Sequence, residues 1–263
     1  MKNSEEVQKI SYSEFKIWNE CTHKHKLIYI DKEPYYSGNE YTAFGTAVHT
    51  ACEQKIPNPE INALEVFESE FLKELTELKE NDYSLDNKLV SEMRSQAVPI
   101  CEQILPAIIE HFGDFEVFST EEALMTPIDE FPAYDKKFKG FIDLVLKTTD
   151  GKYHVIDWKT CSWGWPAQKK ADKIINYQLT MYKHFFAKKH SIDAKNVETY
   201  FALLKRTAKK DVVELVRVSN GAKKTNNCLS LLERSVINIK RKVSIKNRLS
   251  CRYCKFYKTE KCT

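Results

Sequence analysis

Two short segments, each closing an apolar run with charged residues, constrain the fold of this chain most strongly. They are Gly-Phe-Ile-Asp at 140–143 and Val-Ile-Asp-Trp-Lys at 155–159. β-Branched and aromatic residues favour strands, and the intervening Asp150-Gly151 dipeptide favours a tight hairpin turn. We therefore predict two adjacent antiparallel strands that bring Asp143 close to Asp157.

The second segment also determines which side chains share a face. Side chains alternate along a strand, so Asp157 and Lys159 point to one face and Trp158 points to the other. Mg²⁺ and Mn²⁺ prefer carboxylate oxygens and water as ligands, and a neighbouring ammonium group can orient that water. The pattern predicts a hydrolytic metal centre that contains Asp143, Asp157 and Lys159.

A solvated Asp-Lys pair on a strand face is the commoner explanation of an Asp-x-Lys spacing that stands alone. Here both aspartates close apolar runs, where an unpaired charge is costly unless it is coordinated or paired. This context favours the functional interpretation.

Length and composition suit an intracellular globular protein. The chain has 263 residues, enough for one large domain or two small ones. It contains no apolar run of the ~20 residues that span a bilayer, and its polar N-terminus lacks a signal-peptide apolar segment. We expect a cytoplasmic protein without a membrane partner. In a reducing compartment, the eight cysteines indicate core thiols or metal ligation.

Charge is unevenly distributed along the chain. Residues 183–263 contain 21 Lys/Arg and 6 Asp/Glu, a net charge of +15, whereas residues 1–182 carry a net charge of −11. Phosphate neutralisation by basic residues is the usual source of nucleic-acid affinity, and an acidic region suits cation binding. Solvated lysine-rich helices would explain the basic part equally well, but the predicted hydrolytic centre favours a nucleic-acid partner.

The remaining patterns predict an α/β fold in one domain, 1–263, with a central mixed sheet flanked by helices. Ser11 and Glu14 form a predicted capping box, and Pro99 and Pro106 are expected to interrupt the helices around them. Expected helices cover 11–30, a segment from 42, the amphipathic stretch 60–112 within a helical insertion at 55–112, a segment after 166, and 229–243; expected strands cover 115–125, 137–147, 152–159, 197–206 and 211–218.

Five motifs in this order resemble the RecB-like branch of the PD-(D/E)XK nuclease superfamily. They are Ile10-Ser11-Tyr12-Ser13 before a cysteine-bearing helix, Gly45-Thr46-Ala47-Val48-His49, Gly140-Phe141-Ile142-Asp143, Ile156-Asp157-Trp158-Lys159-Thr160 and Gln178-Leu179-Thr180-Met181-Tyr182. The resemblance runs from Ser11 to Cys262, apart from the helical region 55–112, and implies a restriction-endonuclease-like core.

The resemblance also implies a role for each motif residue. His49, Asp143, Asp157 and the Trp158 carbonyl would hold Mg²⁺ or Mn²⁺, and Lys159 would position the attacking water. The branch has a glutamate on the preceding strand; Glu121 and Glu122 both qualify, and we favour Glu121. Gln178 and Tyr182 would contact the substrate, although a half-buried amphipathic helix also explains them.

Three clustered cysteines near the C-terminus and one near the N-terminus form a second pattern. Cys251, Cys254 and Cys262, together with Cys21, offer four thiolates, which suit either Zn²⁺ or a [4Fe–4S] cluster. The resemblance to AddB-type and CRISPR-adaptation nucleases favours the iron–sulfur cluster. Four other cysteines have apolar neighbours and are expected to be core thiols: Cys52, Cys101, Cys161 and Cys228.

The function implied by the resemblance is a metal-dependent deoxyribonuclease. An exonuclease on single-stranded or tailed DNA ends is expected, in recombination, repair, CRISPR adaptation or phage DNA metabolism, with a helicase or recombination partner. Two alternatives remain open: a non-catalytic DNA-binding subunit of a helicase–nuclease complex, and a zinc-stapled module that binds RNA or protein. The segment Trp163-Gly164-Trp165 suits either base stacking or packing, and no role is assigned to it.

Overall fold

The computed structural model describes residues 9–35 and 38–263, which form a helix–sheet–helix arrangement. The order of its elements is β1 (Lys9–Ser11), α1 (Tyr12–Glu20), α2 (Thr22–His25), a π-helical turn (Lys26–Ile30), α3 (Glu40–Lys55), α4 (Ala63–Glu80), α5 (Asn87–Phe112), β2 (Phe115–Pro127), β3 (Lys137–Thr148), β4 (Tyr153–Cys161), α6 (Ala167–Lys170), α7 (Lys173–His190), β5 (Val197–Lys205), β6 (Val213–Arg217) and α8 (Ala222–Lys240). Short 3₁₀ helices cover Pro132–Tyr134, Ala194–Asn196 and Arg248–Tyr253.

The strands form one mixed sheet, which confirms the predicted α/β class. Its order is β1-β3-β4-β5-β6, with β2 on β3 as well. The hairpin β3–β4 is antiparallel as predicted, with Lys147 opposite Tyr153 across the Asp150-Gly151 turn. The predicted β5–β6 hairpin is also present. Strand β5 is parallel to β4, and β1 is parallel to β3.

One edge of β3 is left open in its middle, and this opening positions the candidate site. Strand β2 pairs with β3 along nearly its whole length. The opposite edge is shared, because β1 pairs with β3 at 137–139 and β4 pairs with it at 144–147. The segment 140–143 between them has no strand partner on that edge in the registers of the described strands.

Helices cover both faces of the sheet with separate hydrophobic cores. Helices α3, α4 and α5 pack on one face, where Phe44, Phe67 and Trp158 are fully buried. Helices α1, α7 and α8 pack on the other face, around Phe185 and Phe201. The burial of Trp158 in the first core agrees with the predicted alternation along β4. Each of these helices presents an apolar face to the sheet, and the burial of that face is the main source of its stability.

Some predicted boundaries are wrong for identifiable reasons. Helix α5 continues through Pro99 and Pro106, because its buried stripe against the sheet outweighs the hydrogen bond that each proline removes. The helix predicted over 11–30 is divided at Cys21, which is the C-cap of α1 and the N-cap of α2. Helix α8 begins at Ala222, seven residues before the predicted start, and the three-residue strand β1 was not predicted.

The predicted capping box is only half correct. The Ser11 hydroxyl accepts a hydrogen bond from the Glu14 amide at 3.2 Å, as expected for an N-cap. The Glu14 carboxylate instead hydrogen-bonds the buried ring of His25 at 2.9 Å, so a side-chain hydrogen bond joins α1 and α2 in place of a reciprocal cap.

None of the helices in the described ranges is both long and apolar enough to cross a lipid bilayer.

Gly140 and Gly45 belong to different motifs and have opposite steric surroundings. A Cβ at Gly140 would lie 2.9 Å from Tyr182 Cε1 and 3.0 Å from a Phe138 ring atom. A Cβ at Gly45, inside α3, would meet Thr160 Oγ1 at an ordinary 3.6 Å. Of these two positions, only 140 requires a glycine, because the Tyr182 ring approaches its backbone closely.

We predict that Gly140→Ala destabilises the protein by about 1–3 kcal/mol, because it overpacks the contact with Tyr182. Gly45→Ala is the matched control and should stabilise α3 by about 0.5–1 kcal/mol. Urea unfolding of both variants measures the free energies of unfolding. Equal stability of wild type and Gly140→Ala would contradict the packing argument.

Candidate metal and catalytic site

The centre of the site is the end of β4, where Asp157 and Lys159 lie on the same face as predicted. The Lys159 ammonium forms an ion pair with the Asp157 carboxylate. Gln178 Nε2, from α7, donates to Asp157 Oδ1 at 2.7 Å and also lies 3.3 Å from the Tyr182 hydroxyl. The four side chains from one strand and one helix therefore form a continuous polar network.

Asp143 joins this network through the main chain of β4. Its Oδ2 accepts a hydrogen bond from the Trp158 amide at 2.7 Å. The β3–β4 ladder ends at Leu144 opposite Ile156, so the Asp143 carboxylate takes the place of the next ladder acceptor. The predicted proximity of Asp143 to the Asp157 segment is thus achieved by a side chain and not by continued strand pairing.

Helix α3 contributes His49 and Glu53, which lie one turn apart on the same helix face. His49 Nδ1 is 3.9 Å from Asp143 Oδ2. In the described part of the chain, His49, Glu53 and Asp143 form a group in which one donor atom from each lies within 4.8 Å of the others. Glu53 was missed in the sequence; its i+4 spacing from His49 was the available signal.

Glu121 and Glu122 point to different surroundings. Glu122 forms an ion pair with Lys189 of α7 at 2.5 Å and a hydrogen bond with the His190 ring at 2.8 Å. The side chain of Glu121 instead hydrogen-bonds Glu53. Glu121 lies opposite Asp143 between two regular pairs of the β2–β3 ladder and has φ = 49°, a strained backbone for a non-glycine residue. The structure therefore brings Glu121, and not Glu122, to the site.

Burial disfavours the ionised form of the carboxyl groups in the site. Burial raises the pKa of Asp143 and that of Asp157 to about 6, although the Lys159 charge opposes both shifts. Burial, followed by the charge and hydrogen bond of Glu121, raises the pKa of Glu53 to about 8. Burial and the Lys159 charge lower the pKa of His49 to about 4, so its imidazole is neutral at pH 7.

These donors fit a hard divalent cation. Carboxylate oxygens are the ligands that Mg²⁺ and Mn²⁺ prefer, and the neutral His49 imidazole adds one nitrogen donor beside them. The raised carboxylate pKa values report repulsion and desolvation that a cation would relieve. His49, Glu53 and Asp143 converge closely enough to share one ion. Trp158 borders the site through its amide.

The four cysteines of the second pattern also meet in space. Cys21, Cys251, Cys254 and Cys262 line one enclosed pocket between the N-terminal helices and the C-terminal segment. All are free thiols. Cys21 Sγ accepts hydrogen bonds from the amides of Lys24 (3.5 Å) and Asn247 (3.3 Å), so it bonds both an N-terminal helix and the C-terminal segment.

Further polar contacts hold the same two chain segments together. Asn247 Nδ2 and Ser250 Oγ both donate to the Glu20 carbonyl at 2.8 Å. The Ile245 amide donates to Thr22 Oγ1 at 2.7 Å. Leu27, Phe256 and Cys262 form a small buried cluster that lines part of the pocket. The C-terminal segment is therefore docked on α1, α2 and the turn that follows them.

The chain is similar to one known protein family and to solved structures. The sequence profile of the PD-(D/E)XK nuclease superfamily matches residues 9–259. A proposed exonuclease from Eubacterium rectale has a similar fold, with 11% identity, a TM-score of 0.61 and coverage of 98% of this chain and 94% of that chain. SSO0001 is 15% identical over 97% of this chain and 86% of that chain, with a TM-score of 0.44. No curated protein matches the sequence. The mixed sheet with helices on both faces is a restriction-endonuclease-like core.

The raised pKa of Glu53 predicts a pH-dependent loss of stability in metal-free protein. The pKa of this group in the folded state, about 8, lies above its ordinary value of 4.5. The stability that its protonation contributes is complete below pH 4.5 and is lost as the pH rises through 8. In EDTA, Glu53→Gln should therefore melt at a higher temperature than wild type at pH 9, and the difference should shrink towards pH 5.

Adding Mn²⁺ should raise the melting temperature of wild type more than that of Glu53→Gln, because the variant loses one ligand. Glu102→Gln, at an exposed position of α5, is the control for general charge effects. Identical pH and Mn²⁺ responses of Glu53→Gln and wild type would remove Glu53 from the site.

Proposed function

Because the chain belongs to the PD-(D/E)XK nuclease superfamily, we propose that it is a divalent-metal-dependent deoxyribonuclease that processes DNA ends. The observation that carries this proposal is the convergence of His49, Asp143 and Asp157 with the lysine of the Asp-x-Lys motif. A structural role for these groups would not need buried carboxylates whose pKa values are raised.

The metal would be held by His49, Asp143, Asp157 and the Trp158 carbonyl, with Glu53 as a further ligand and Glu121 acting directly or through water. Bound Mg²⁺ or Mn²⁺ would supply Lewis-acid polarisation of the scissile phosphate and neutralise the charge that develops on it. The close approach of these carboxylates supports the assignment, since each pays a desolvation cost that only a counter-charge offsets.

Lys159 would orient the attacking water for in-line displacement at phosphorus. Its ammonium is fixed by Asp157, and Asp157 is fixed in turn by Gln178. Because Gln178 and Tyr182 are both buried, their first effect is to position the Asp157 carboxylate. The proposed substrate contact of Gln178 and Tyr182 requires a nucleotide to enter beside the open edge of β3.

The choice of DNA ends as the substrate rests on the resemblance to the RecB-like branch and on the basic region 183–263. Its net charge of +15 suits a polyanion. Recombination, repair, CRISPR adaptation and phage DNA metabolism are the processes in which a cytoplasmic nuclease of this kind would act, alone or with a helicase. A non-catalytic DNA-binding subunit is the second candidate, which the intact lysine and carboxylates disfavour.

Cleavage assays with Lys159→Ala test the catalytic assignment. We predict at least an ~100-fold loss of cleavage, because a positioned proton-handling group contributes about that much or more, with folding and DNA binding retained. End-labelled linear DNA and circular single-stranded DNA are incubated with Mn²⁺ and either protein. Loss of label from linear DNA alone identifies end processing and its polarity.

Lys73→Ala is the matched control, because Lys73 is an exposed lysine of α4 paired with Glu70. It should cleave like wild type. Equal cleavage by wild type and Lys159→Ala would remove Lys159 from the mechanism. Absence of cleavage by wild type on every DNA would favour the non-catalytic subunit.

We further propose that the four-cysteine pocket holds a [4Fe–4S] cluster. Four thiols that line one pocket offer a ligand set that suits either such a cluster or Zn²⁺. The resemblance to AddB-type and CRISPR-adaptation nucleases supports the cluster over zinc.

Anaerobically purified protein should therefore contain iron and show a brown, visible absorbance that Cys254→Ser loses. The same variant should melt at a lower temperature, because the cluster joins chain segments that are far apart in sequence. Cys161→Ser is the control, since Cys161 lies outside the pocket and should retain iron. Stoichiometric zinc without iron in wild type would overturn this assignment and favour the zinc-stapled module.

A further inference from the structure

The segment Trp163-Gly164-Trp165 follows strand β4, and its two indole side chains differ in solvent exposure. Trp165 is 8% exposed and packs on the Phe201 ring, with ring centroids 5.0 Å apart. Trp163 is 76% exposed. The two other tryptophans, Trp18 and Trp158, are buried, so Trp163 is the indole that faces solvent.

The backbone around Trp163 is held in place on both sides. The Ser162 carbonyl accepts hydrogen bonds from the amide and the hydroxyl of Thr207, at 3.0 Å and 2.9 Å. Gly164 has φ = +117°, and a Cβ there would lie 3.3 Å from Lys205 Cδ. A side chain at this position would be strained. The turn therefore directs Trp163 outward from an anchored loop.

A second exposed aromatic ring lies beside this loop, joined to it by Arg206. The Arg206 guanidinium is 3.3 Å from Ser162 Oγ and lies over the ring of Tyr41, 5.0 Å from its centroid. Tyr41 is 49% exposed. Arg206 therefore contacts both Tyr41, at the start of α3, and Ser162, the residue before Trp163 at the end of β4. We call Trp163, Arg206 and Tyr41 together the aromatic strip.

The aromatic strip is close to the candidate catalytic residues and carries positive charge. Trp163 follows Lys159 by four residues, so the two lie within about 13 Å at ~3.3 Å per residue. That distance corresponds to a few stacked nucleotides at about 3.4 Å per step. Exposed Lys209 and Lys210 occupy the turn between β5 and β6, next to Arg206.

We propose that the aromatic strip is a binding site for single-stranded DNA, in which bases stack on Trp163 and Tyr41 while Arg206 neutralises a phosphate. Exposed aromatic rings beside basic side chains are how proteins bind single strands without reading sequence, whereas the bases of a duplex are already stacked. This inference rests on the proposed nuclease function and deepens it, because it makes a single strand the form in which DNA approaches Lys159.

Binding is measured without cleavage, in EDTA, with a labelled single-stranded thymidine oligonucleotide followed by anisotropy. Trp163→Ala should bind roughly 5- to 150-fold more weakly than wild type, the range that base–aromatic stacking provides. Trp163→Phe should bind nearly as wild type, since a ring remains. Leu72→Ala, at an exposed apolar position of α4, is the control and should leave affinity unchanged. Wild-type tryptophan fluorescence should be quenched by the oligonucleotide, and that of Trp163→Ala should not.

Unchanged affinity of Trp163→Ala, or quenching that persists in it, would overturn the proposed site. Cleavage of the same oligonucleotide by wild type with Mn²⁺ separates this outcome from failure of the nuclease proposal, because binding in EDTA is measured without turnover. If wild type does not cleave DNA with Mn²⁺, the nuclease proposal fails, while the binding comparison still decides whether Trp163 contacts single strands.

Discussion

The hydrogen bond from the Trp158 amide to the Asp143 carboxylate is the interaction on which the site depends. It ends the β3–β4 ladder by replacing a main-chain acceptor with a side chain. Beyond this point β4 no longer pairs with β3, and the same edge of β3 is next paired at 137–139, by β1. The resulting opening gives α3 access to Asp143 from one side of the sheet and gives α7 access to Asp157 from the other.

The same opening explains why the site is costly to the fold. Asp143 and Asp157 are buried with raised pKa values, Glu53 shares a hydrogen bond with Glu121, and Glu121 adopts a strained backbone. Such departures from local preference persist where the surrounding structure holds them in place. Here the rigid β2–β3 pairing and the two hydrophobic cores do so, and a bound cation would recover part of the cost.

Sequence reasoning succeeded where a local pattern determines the outcome. The hairpin around Asp150-Gly151, the shared face of Asp157 and Lys159, and the placement of Trp158 on the opposite face all follow from strand alternation and turn chemistry. It failed where long-range packing overrides local preference: α5 continues through two prolines because its buried face holds it. The convergence of Glu53 with Asp143 could not be predicted, because it depends on how α3 docks against an unpaired strand edge.

The four-cysteine pocket and the opening on β3 are joined by the first elements of the described chain. Cys21 ends α1, and α1 follows directly from β1, the strand that borders the opening on β3. Tyr12, in the first turn of α1, bonds the Ile174 carbonyl of α7 at 3.2 Å, four residues before Gln178. A cluster that fixed Cys21 against the C-terminal segment would therefore also restrain β1 and α1 at the border of the site. Loss of that restraint would reach the Asp157 carboxylate through packing and hydrogen bonds, without any direct contact between the two centres.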